Sequence, residues 1–263
     1  MILYAWWPTP VALLVAVVII GSRQLGLAVL MHEGGHWLLF PRSTVNTGVA
    51  QRVCAFPIWS DLGRDRRQHH LHHRYTQQPD DPVIESAGSY PISRRALGGA
   101  ALRDLSGWTF VAGVLTWPGW REPRMPWSRL RGPLASNAVI LGALWVIGHG
   151  EQYLLLWLLP LATWYQLLTR LWSIAEHAVV SDDANPLRNT RTTAAGPLAR
   201  ALLAPYWSTT TSSTTCSSSS RAGGSRRPHA LLLAKGYGPR MEMASGYGAV
   251  LSRATGAEAR API

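Results

Sequence analysis

Residues 69–76 read His69-His70-Leu71-His72-His73-Arg74-Tyr75-Thr76, and the interpretation of the whole chain starts from this stretch. On a helix, residues three and four positions apart share one face, so the H-x-x-H-H pattern of His69, His72 and His73 places three imidazoles together. Imidazole is a ligand of iron, zinc and copper. The stretch predicts a helix that presents a metal site; a solvated basic patch is the alternative.

A second histidine pair stands upstream, at the end of an apolar run. His32 and His36 are four residues apart, so both side chains project from one helical face. The segment also matches the HExxH pattern of zinc hydrolases, with Glu33 as the general base. A membrane zinc protease is therefore an alternative. Such an enzyme needs an Asp ligand in a later apolar helix, however, and every Asp of this chain lies in a polar segment.

Apolar runs flank both histidine segments and indicate the fold class. Pro10 to His36 predicts one long helix, and Pro133 to Ile147 and Tyr153 to Leu171 predict two further spans that form an antiparallel hairpin. Gly107 to Trp117 is apolar but short, which predicts an interfacial position. Residues 41–105 are polar and lie outside the hydrocarbon. We therefore predict an all-α fold: a multi-pass membrane helical bundle with a polar helical cap that carries the histidine boxes.

Composition and charge support a membrane location. The chain is 47% hydrophobic and holds 13 Trp against 3 Phe, and many Trp stand at the ends of apolar runs, as at a bilayer interface. The net charge of +11 comes mainly from Arg between these runs, which favours anionic lipid head groups. No nucleic-acid-binding motif accompanies the charge, so nucleic acid is not an expected partner. Cys54 and Cys216 form neither a disulfide framework nor a thiolate metal site.

Two further expectations concern the N-terminal region of the chain. No basic region precedes the first apolar run, so we do not expect a cleaved signal peptide. If Pro10 to His36 is one helix, a preceding span is missing, which indicates a truncated or misassigned start.

With both histidine segments in place, the sequence resembles the membrane fatty acid desaturase family. The stretch from His69 to Thr76, followed by Asp81-Pro82, is similar to the family's second box, H-x-x-H-H-x-x-T with a downstream Asp-Pro. Arg170 to His177 resembles the segment after the last span, where an extra His joins the metal site. Some members carry an Asn four residues before that His, and this chain has Ser173 there. The resemblance covers roughly residues 25–207.

The resemblance implies a membrane fatty acyl desaturase with two non-haem iron ions and dioxygen as co-substrate. Its substrate would be a fatty acyl lipid or thioester, and its electrons would come from a donor of ferredoxin or cytochrome type. No catalytic side chain is expected beyond the metal ligands. A hydroxylase or ketolase on the same scaffold is an alternative, as is a membrane protein without enzymatic activity. The predicted metal ligands are His32, His36, His69, His72, His73 and His177.

Four further polar residues receive other roles. Asp80 and Asp81 either accept hydrogen bonds from ligand rings or form a helix cap or surface turn before Pro82. His70 and His149 have no motif support and are interpreted as structural.

The family's third box is missing from its expected place. Arg188 to Thr193 resembles the lead-in to this H-x-x-H-H box, which should follow Tyr206-Trp207, but residues 208–220 form a Ser/Thr run. A disordered linker is one interpretation. The genetic code offers another, because Thr codons (ACN) read in a neighbouring frame as NAC encode Asn, Tyr, His or Asp. With one base lost after Trp207, residues 209–216 can encode Asn-Tyr-His-Val-Glu-His-His-Leu, which restores the box.

We therefore predict a frameshift between Trp207 and Pro228. The chain then divides into a membrane desaturase-like domain (1–207), a frameshifted Ser/Thr/Arg-rich tract (208–228) and the C-terminal tail of the same domain (229–263). The loss of three histidine ligands should cripple a two-iron site. The chain as written is thus predicted to bind at most a partial metal complement and to be inactive.

Overall fold

Helices dominate the chain, which the computed structural model describes at residues 4, 7–76, 78, 80–82, 90–115, 127–181, 185, 187–207 and 226–256. The first long helix, α1, spans Pro10–Gly35. Pro10 occupies its first turn, and the Thr9 hydroxyl caps it by accepting a hydrogen bond from the Ala12 amide at 3.2 Å. The prediction of a single long helix that ends at the histidines is confirmed.

The two halves of α1 have different surroundings. In the first half, apolar side chains face outward, and each of these is more than half exposed: Val11, Leu14, Val15 and Ile19. The second half packs inside the protein. Gly21 marks the change, since a Cβ there would lie 2.8 Å from the Trp164 ring. Close packing therefore begins at Gly21 and continues to the histidine end of α1.

A polar cap follows α1. It consists of α2 (Ser43–Val49), a π-helical turn (Ala50–Ala55), a 3-10 turn (Phe56–Ile58) and α3 (Leu62–Tyr75). The Asp61 carboxylate caps α3 by accepting a hydrogen bond from the Arg64 amide at 2.7 Å. Leu62 is buried in one apolar cluster with Met31 of α1. This contact fixes the start of α3, the helix that carries the second histidine box, against α1.

The next elements lead away from the cap and return to it. They are α4 (Arg94–Leu105), α5 (Trp108–Leu115), α6 (Trp127–Val146), a π-helical turn (Leu154–Leu158), α7 (Leu159–Ala162) and α8 (Trp164–His177). Gly107, with a φ of 81°, makes the corner between α4 and α5. The buried Asp104 at the end of α4 accepts hydrogen bonds from the Arg170 guanidinium, at 2.5 and 2.9 Å, and so ties α4 to α8.

Two helical segments among the described residues are long and apolar enough to cross a membrane: α1 and Leu154–His177. The third predicted span, Pro133 to Ile147, corresponds to α6. Its apolar part among the described residues, Leu130–Val146, is shorter than the two candidate spans. Among the described residues, length and composition thus support two of the three predicted spans.

The predicted helical character of the fold is confirmed, and the described residues add one short parallel strand pair to it. β1 (Thr192–Thr193) pairs with β2 (Met243–Ala244), and the remaining elements are helical: α9 (Pro197–Leu202), a 3-10 turn (Pro205–Trp207), α10 (Arg226–Ala234), a 3-10 turn (Gly238–Arg240) and α11 (Tyr247–Ala254). Val250 and Ala254 of α11 pack against Ile174 of α8. α11 therefore supports the end of α8.

Candidate metal centre

Three helices bring six histidines to one place. α1 contributes His32 and His36 from its last turn and C-cap, and α8 contributes His177 from its last residue. α3 contributes the three histidines of the H-x-x-H-H pattern. The helical face of α3 that carries His69, His72 and His73 therefore lies against the C-terminal ends of α1 and α8. Every residue predicted to bind metal lies in this cluster: His32, His36, His69, His72, His73 and His177.

The centre of the cluster is formed by His32, His36 and His69. One ring nitrogen of each lies within 4.8 Å of those of the other two, and the Nε2 atoms of His36 and His69 are 2.7 Å apart. Two nitrogens that bind the same ion at about 2.1 Å lie roughly 3 Å apart. The spacing of this group therefore suits ligands of a single metal ion.

The other three histidines extend the cluster toward α8. The ring of His73 lies 4.2 Å from that of His69, and the ring of His72 lies 4.5 Å from that of His177, between centroids. The Nε2 atom of His73 is buried and has no hydrogen-bond partner among the residues that the structure describes. A buried polar nitrogen without a partner is costly, so a ligand at this atom would relieve the cost.

Asp81 fixes the orientation of one predicted ligand. The His72 Nδ1–H donates to the two Asp81 carboxylate oxygens at 2.8 and 3.0 Å, and both residues are buried. This hydrogen bond leaves the Nε2 lone pair of His72 available to a metal ion. The structure therefore favours the ligand-supporting role for Asp81, whereas Asp80 is exposed. The alternative of a surface turn holds for Asp80 only.

The last residue of the H-x-x-H-H-x-x-T pattern also has a local role. The Thr76 hydroxyl donates a hydrogen bond to the His72 carbonyl at 2.7 Å and is buried at the end of α3. This bond satisfies one of the carbonyls that a helix end leaves without a partner. Thr76 thus stabilises the turn that carries His72 and His73.

Burial and neighbouring imidazoles lower the pKa of four rings and so keep them neutral: His36 at the C-cap of α1, and His69, His72 and His73 of α3. Burial is the main reason that the pKa of His36 falls to about 4 and that the pKa of His73 falls to about 3. Burial and then His32 lower the pKa of His69 well below 6.5. Burial also lowers the pKa of His72, although the Asp81 carboxylate opposes this shift. Neutral imidazoles retain a nitrogen lone pair, which metal binding requires.

Two residues of α8 next to the cluster were not assigned from the sequence. The Trp172 indole N–H donates to Glu176 Oε1 at 2.6 Å, and the Trp172 ring lies 5.9 Å from the His32 ring. Glu176 Oε2 lies 3.5 Å from the Nε2 atom of His177. The spacing of four residues predicts that Trp172 and Glu176 meet on one helical face. The approach of Trp172 to His32 depends on tertiary packing, which the spacing does not show.

The remaining histidines lie outside the cluster of six. His70 is exposed on α3, with its ring 6.2 Å from the His36 ring and 5.8 Å from the Trp37 ring. His149 lies in a turn, 3.8 Å from the carboxylate of the exposed Glu151. His229 is half-buried in α10, and burial lowers its pKa. The predicted third box falls on residues 208–225, which are outside the described residues.

Replacing Asp81 by Asn tests its support of His72. An Asn side chain can present its NH₂ to Nδ1, which favours the tautomer that protonates Nε2. Partners of this kind typically change metal affinity by about 10- to 100-fold, and we expect a loss in this range for Asp81→Asn. Titration of the purified chain with cobalt(II) measures the affinity. Asp80→Asn is the matched control and should leave it unchanged; an equal loss in both variants would rule out the specific role of Asp81.

Two comparisons with known proteins bear on this site. A sequence profile described as "Fatty acid desaturase" matches residues 4–207, which include all six clustered histidines. The chain is also similar to a dihydrorhizobitoxine desaturase from Bradyrhizobium elkanii, with 24% identity over 217 residues. That alignment covers 76% of this chain and 60% of the relative, so the chain spans about three fifths of the relative's length.

Proposed function

The chain belongs to the fatty acid desaturase family, and from this premise we propose that its frame-restored form is a membrane fatty acyl desaturase. In this proposal the protein is a dioxygen-dependent oxidoreductase that introduces a double bond into an acyl chain. The observation that carries the proposal is the convergence of six histidines from α1, α3 and α8 on one cluster of buried and half-buried rings. Family membership alone supports a desaturase-type oxidoreductase without fixing the reaction.

The residues of the cluster fit iron. They offer neutral imidazole nitrogens, which suit iron and leave positions open for other ligands. His73 adds a buried nitrogen that lacks a hydrogen-bond partner among the described residues, and Asp81 orients His72. Two non-haem iron ions bound here would supply the activation of dioxygen and the oxidising power to remove two hydrogens.

The protein's own side chains would bind the iron ions and surround the reaction. His32, His36 and His69 form the tightest group and would anchor one ion. Because their helices are capped and packed, the rings are held in place before any ligand binds, which reduces the ordering needed on binding. Burial of His72 and His177 would limit the access of bulk water on the α8 side of the cluster.

The position of the cluster suits an apolar substrate. Both α1 and the segment Leu154–His177 reach the cluster with their C-terminal ends, so the histidines lie at the same end of the two candidate spans. We propose that α6 crosses the membrane as well, which makes the protein multi-pass. An acyl chain in the bilayer would then reach the site without leaving an apolar environment.

The substrate and the electron donor are part of the proposal. The substrate is a fatty acyl lipid or thioester, and the donor is a protein of ferredoxin or cytochrome type. The Bradyrhizobium elkanii relative is named as a desaturase of dihydrorhizobitoxine. Desaturation is therefore the first reaction to test.

Analysis of lipids from cells that express the frame-restored chain tests this function. A desaturase yields acyl chains that have lost two hydrogens, whereas a hydroxylase or ketolase on the same scaffold yields chains that have gained oxygen. We expect the first product and its loss in a His72→Ala variant. Oxygenated acyl chains instead would favour the hydroxylase or ketolase alternative, and an unchanged lipid profile would contradict both.

A further inference from the structure

The C-terminal end of α1 is held by a side chain from α3. The last carbonyl groups of a helix have no partners within the helix, and the helix dipole makes them attractive to cations. Arg66 of α3 donates from Nε to the Gly35 carbonyl at 3.1 Å and from Nη2 to the Gly34 carbonyl at 2.9 Å. These carbonyls belong to two of the three residues between His32 and His36.

The surroundings of Arg66 fix its guanidinium plane. The Trp37 ring lies under the guanidinium, with 4.0 Å between the Arg66 Cζ atom and the ring centroid. Thr47 Oγ1 lies 3.5 Å from Nη2. Arg66 thus contacts α1, the residue after His36 and α2 at the same time.

A buried amide locks the backbone on the other side of the same helix end. Asn46 is fully buried; its Nδ2 donates to the Gly34 carbonyl at 2.8 Å, and its Oδ1 accepts from the Leu39 amide at 2.9 Å. The absence of a side chain at Gly34 also allows Ala50 to pack against this helix end, because a Cβ at Gly34 would lie 2.2 Å from the Ala50 Cβ. The segment that follows the first histidine pair therefore has little freedom to move.

Arg66 stands three residues before His69 on α3, so one side chain connects the backbones of both histidine boxes. Across this connection, the Nε2 atoms of His36 and His69 approach to 2.7 Å. Metal ligands must be held to within about 0.5 Å of their productive positions. A bidentate guanidinium provides such a constraint because its two donors have fixed geometry, whereas a lysine ammonium is a single point charge on a flexible stem.

We propose that Arg66 is a positioning residue, which sets His32 and His36 of the first box against His69 of the second box and thereby defines the geometry of the metal centre. The inference rests on the proposed metal-dependent function. It differs from a simple helix-capping role, in which Arg66 would contribute stability and any cation at the helix end would suffice.

Cobalt(II) binding to the full chain in detergent tests this role, because the visible spectrum of bound cobalt reports its coordination geometry. Two substitutions separate charge from geometry: Arg66→Lys keeps the cation at the helix end, and Arg66→Met removes it. Arg67→Met is the matched control, since Arg67 is the exposed neighbour on the same helix. Thermal unfolding of each metal-free variant gives its stability, and titrations are made well below the unfolding midpoint.

We expect Arg66→Met and Arg66→Lys to bind cobalt about 10-fold more weakly or worse, with altered absorption bands. Arg66→Lys should unfold near the temperature of the parent, and Arg67→Met should match the parent in every measurement. A parent-like spectrum and affinity in Arg66→Lys would overturn the proposal, because a capping role would then explain the residue. Absence of cobalt binding by the parent chain would overturn the metal centre, and the positioning role with it.

Discussion

Restoring the reading frame between Trp207 and Pro228 is expected to convert an inactive chain into an active desaturase. The described cluster contains six histidines, and the third box would add three more in the neighbouring frame. His72 and His177 pair with each other at the α8 side of the cluster, so a second ion beside them would have few imidazole ligands among the described residues. Loss of ligands weakens a metal site more than loss of their outer partners, so we expect acyl desaturation to differ by more than about 100-fold.

The experiment compares three genes in the same host by lipid analysis. The first encodes the chain as written, the second carries the restored frame, and the third combines the restored frame with His72→Ala. We expect product from the second gene only. Equal product from the written and the restored chains would contradict the prediction, because the third box would then be dispensable. Resequencing across the Trp207 codon is an independent test, and an intact frame without histidine codons in the neighbouring frame would refute the frameshift.

His69→Ala is expected to abolish metal binding by the chain as written. His69 is central to the cluster: its ring lies 4.0 Å from the His32 ring, 4.7 Å from the His36 ring and 4.2 Å from the His73 ring. Its removal leaves the tightest group with two ligands. We therefore expect the cobalt(II) affinity to fall by more than about 100-fold. The substitution removes no apolar core side chain, so the helical content should remain that of the parent.

His70→Ala is the matched control for this prediction. His70 is the next residue on α3 and is exposed, with its ring 6.2 Å from the His36 ring. We expect parent-like cobalt affinity in His70→Ala and near-complete loss in His69→Ala. Equal affinities in the two variants would show that the metal, if bound, lies elsewhere in the chain.

Local periodicity accounts for the parts of the site that the sequence predicted well. The spacing of His32 and His36, and of His69, His72 and His73, determines which helical face each group occupies, whatever the tertiary structure. The apolar run from Pro10 onward likewise predicts one helix. His177 required the family resemblance, because a single histidine at a helix end carries no periodic signal.

Other features depend on contacts between distant segments, and local sequence patterns predict such contacts poorly. The strand pair β1–β2 is two residues long on each side, too short to show an alternating pattern. The Arg66 contact with Gly34 and Gly35 joins two helices more than thirty residues apart in sequence. The sequence allows two roles for Asp81, because a polar loop sequence does not show whether a carboxylate is buried.

The most direct test of the central claim is the iron content per chain of the purified frame-restored protein, measured beside the chain as written. The claim is that the clustered histidines, completed by the third box, hold two iron ions. We predict about two iron ions per restored chain, a lower content in the chain as written, and loss of iron in His69→Ala. Iron-free restored protein, or iron content that does not change when His69 is removed, would contradict the claim.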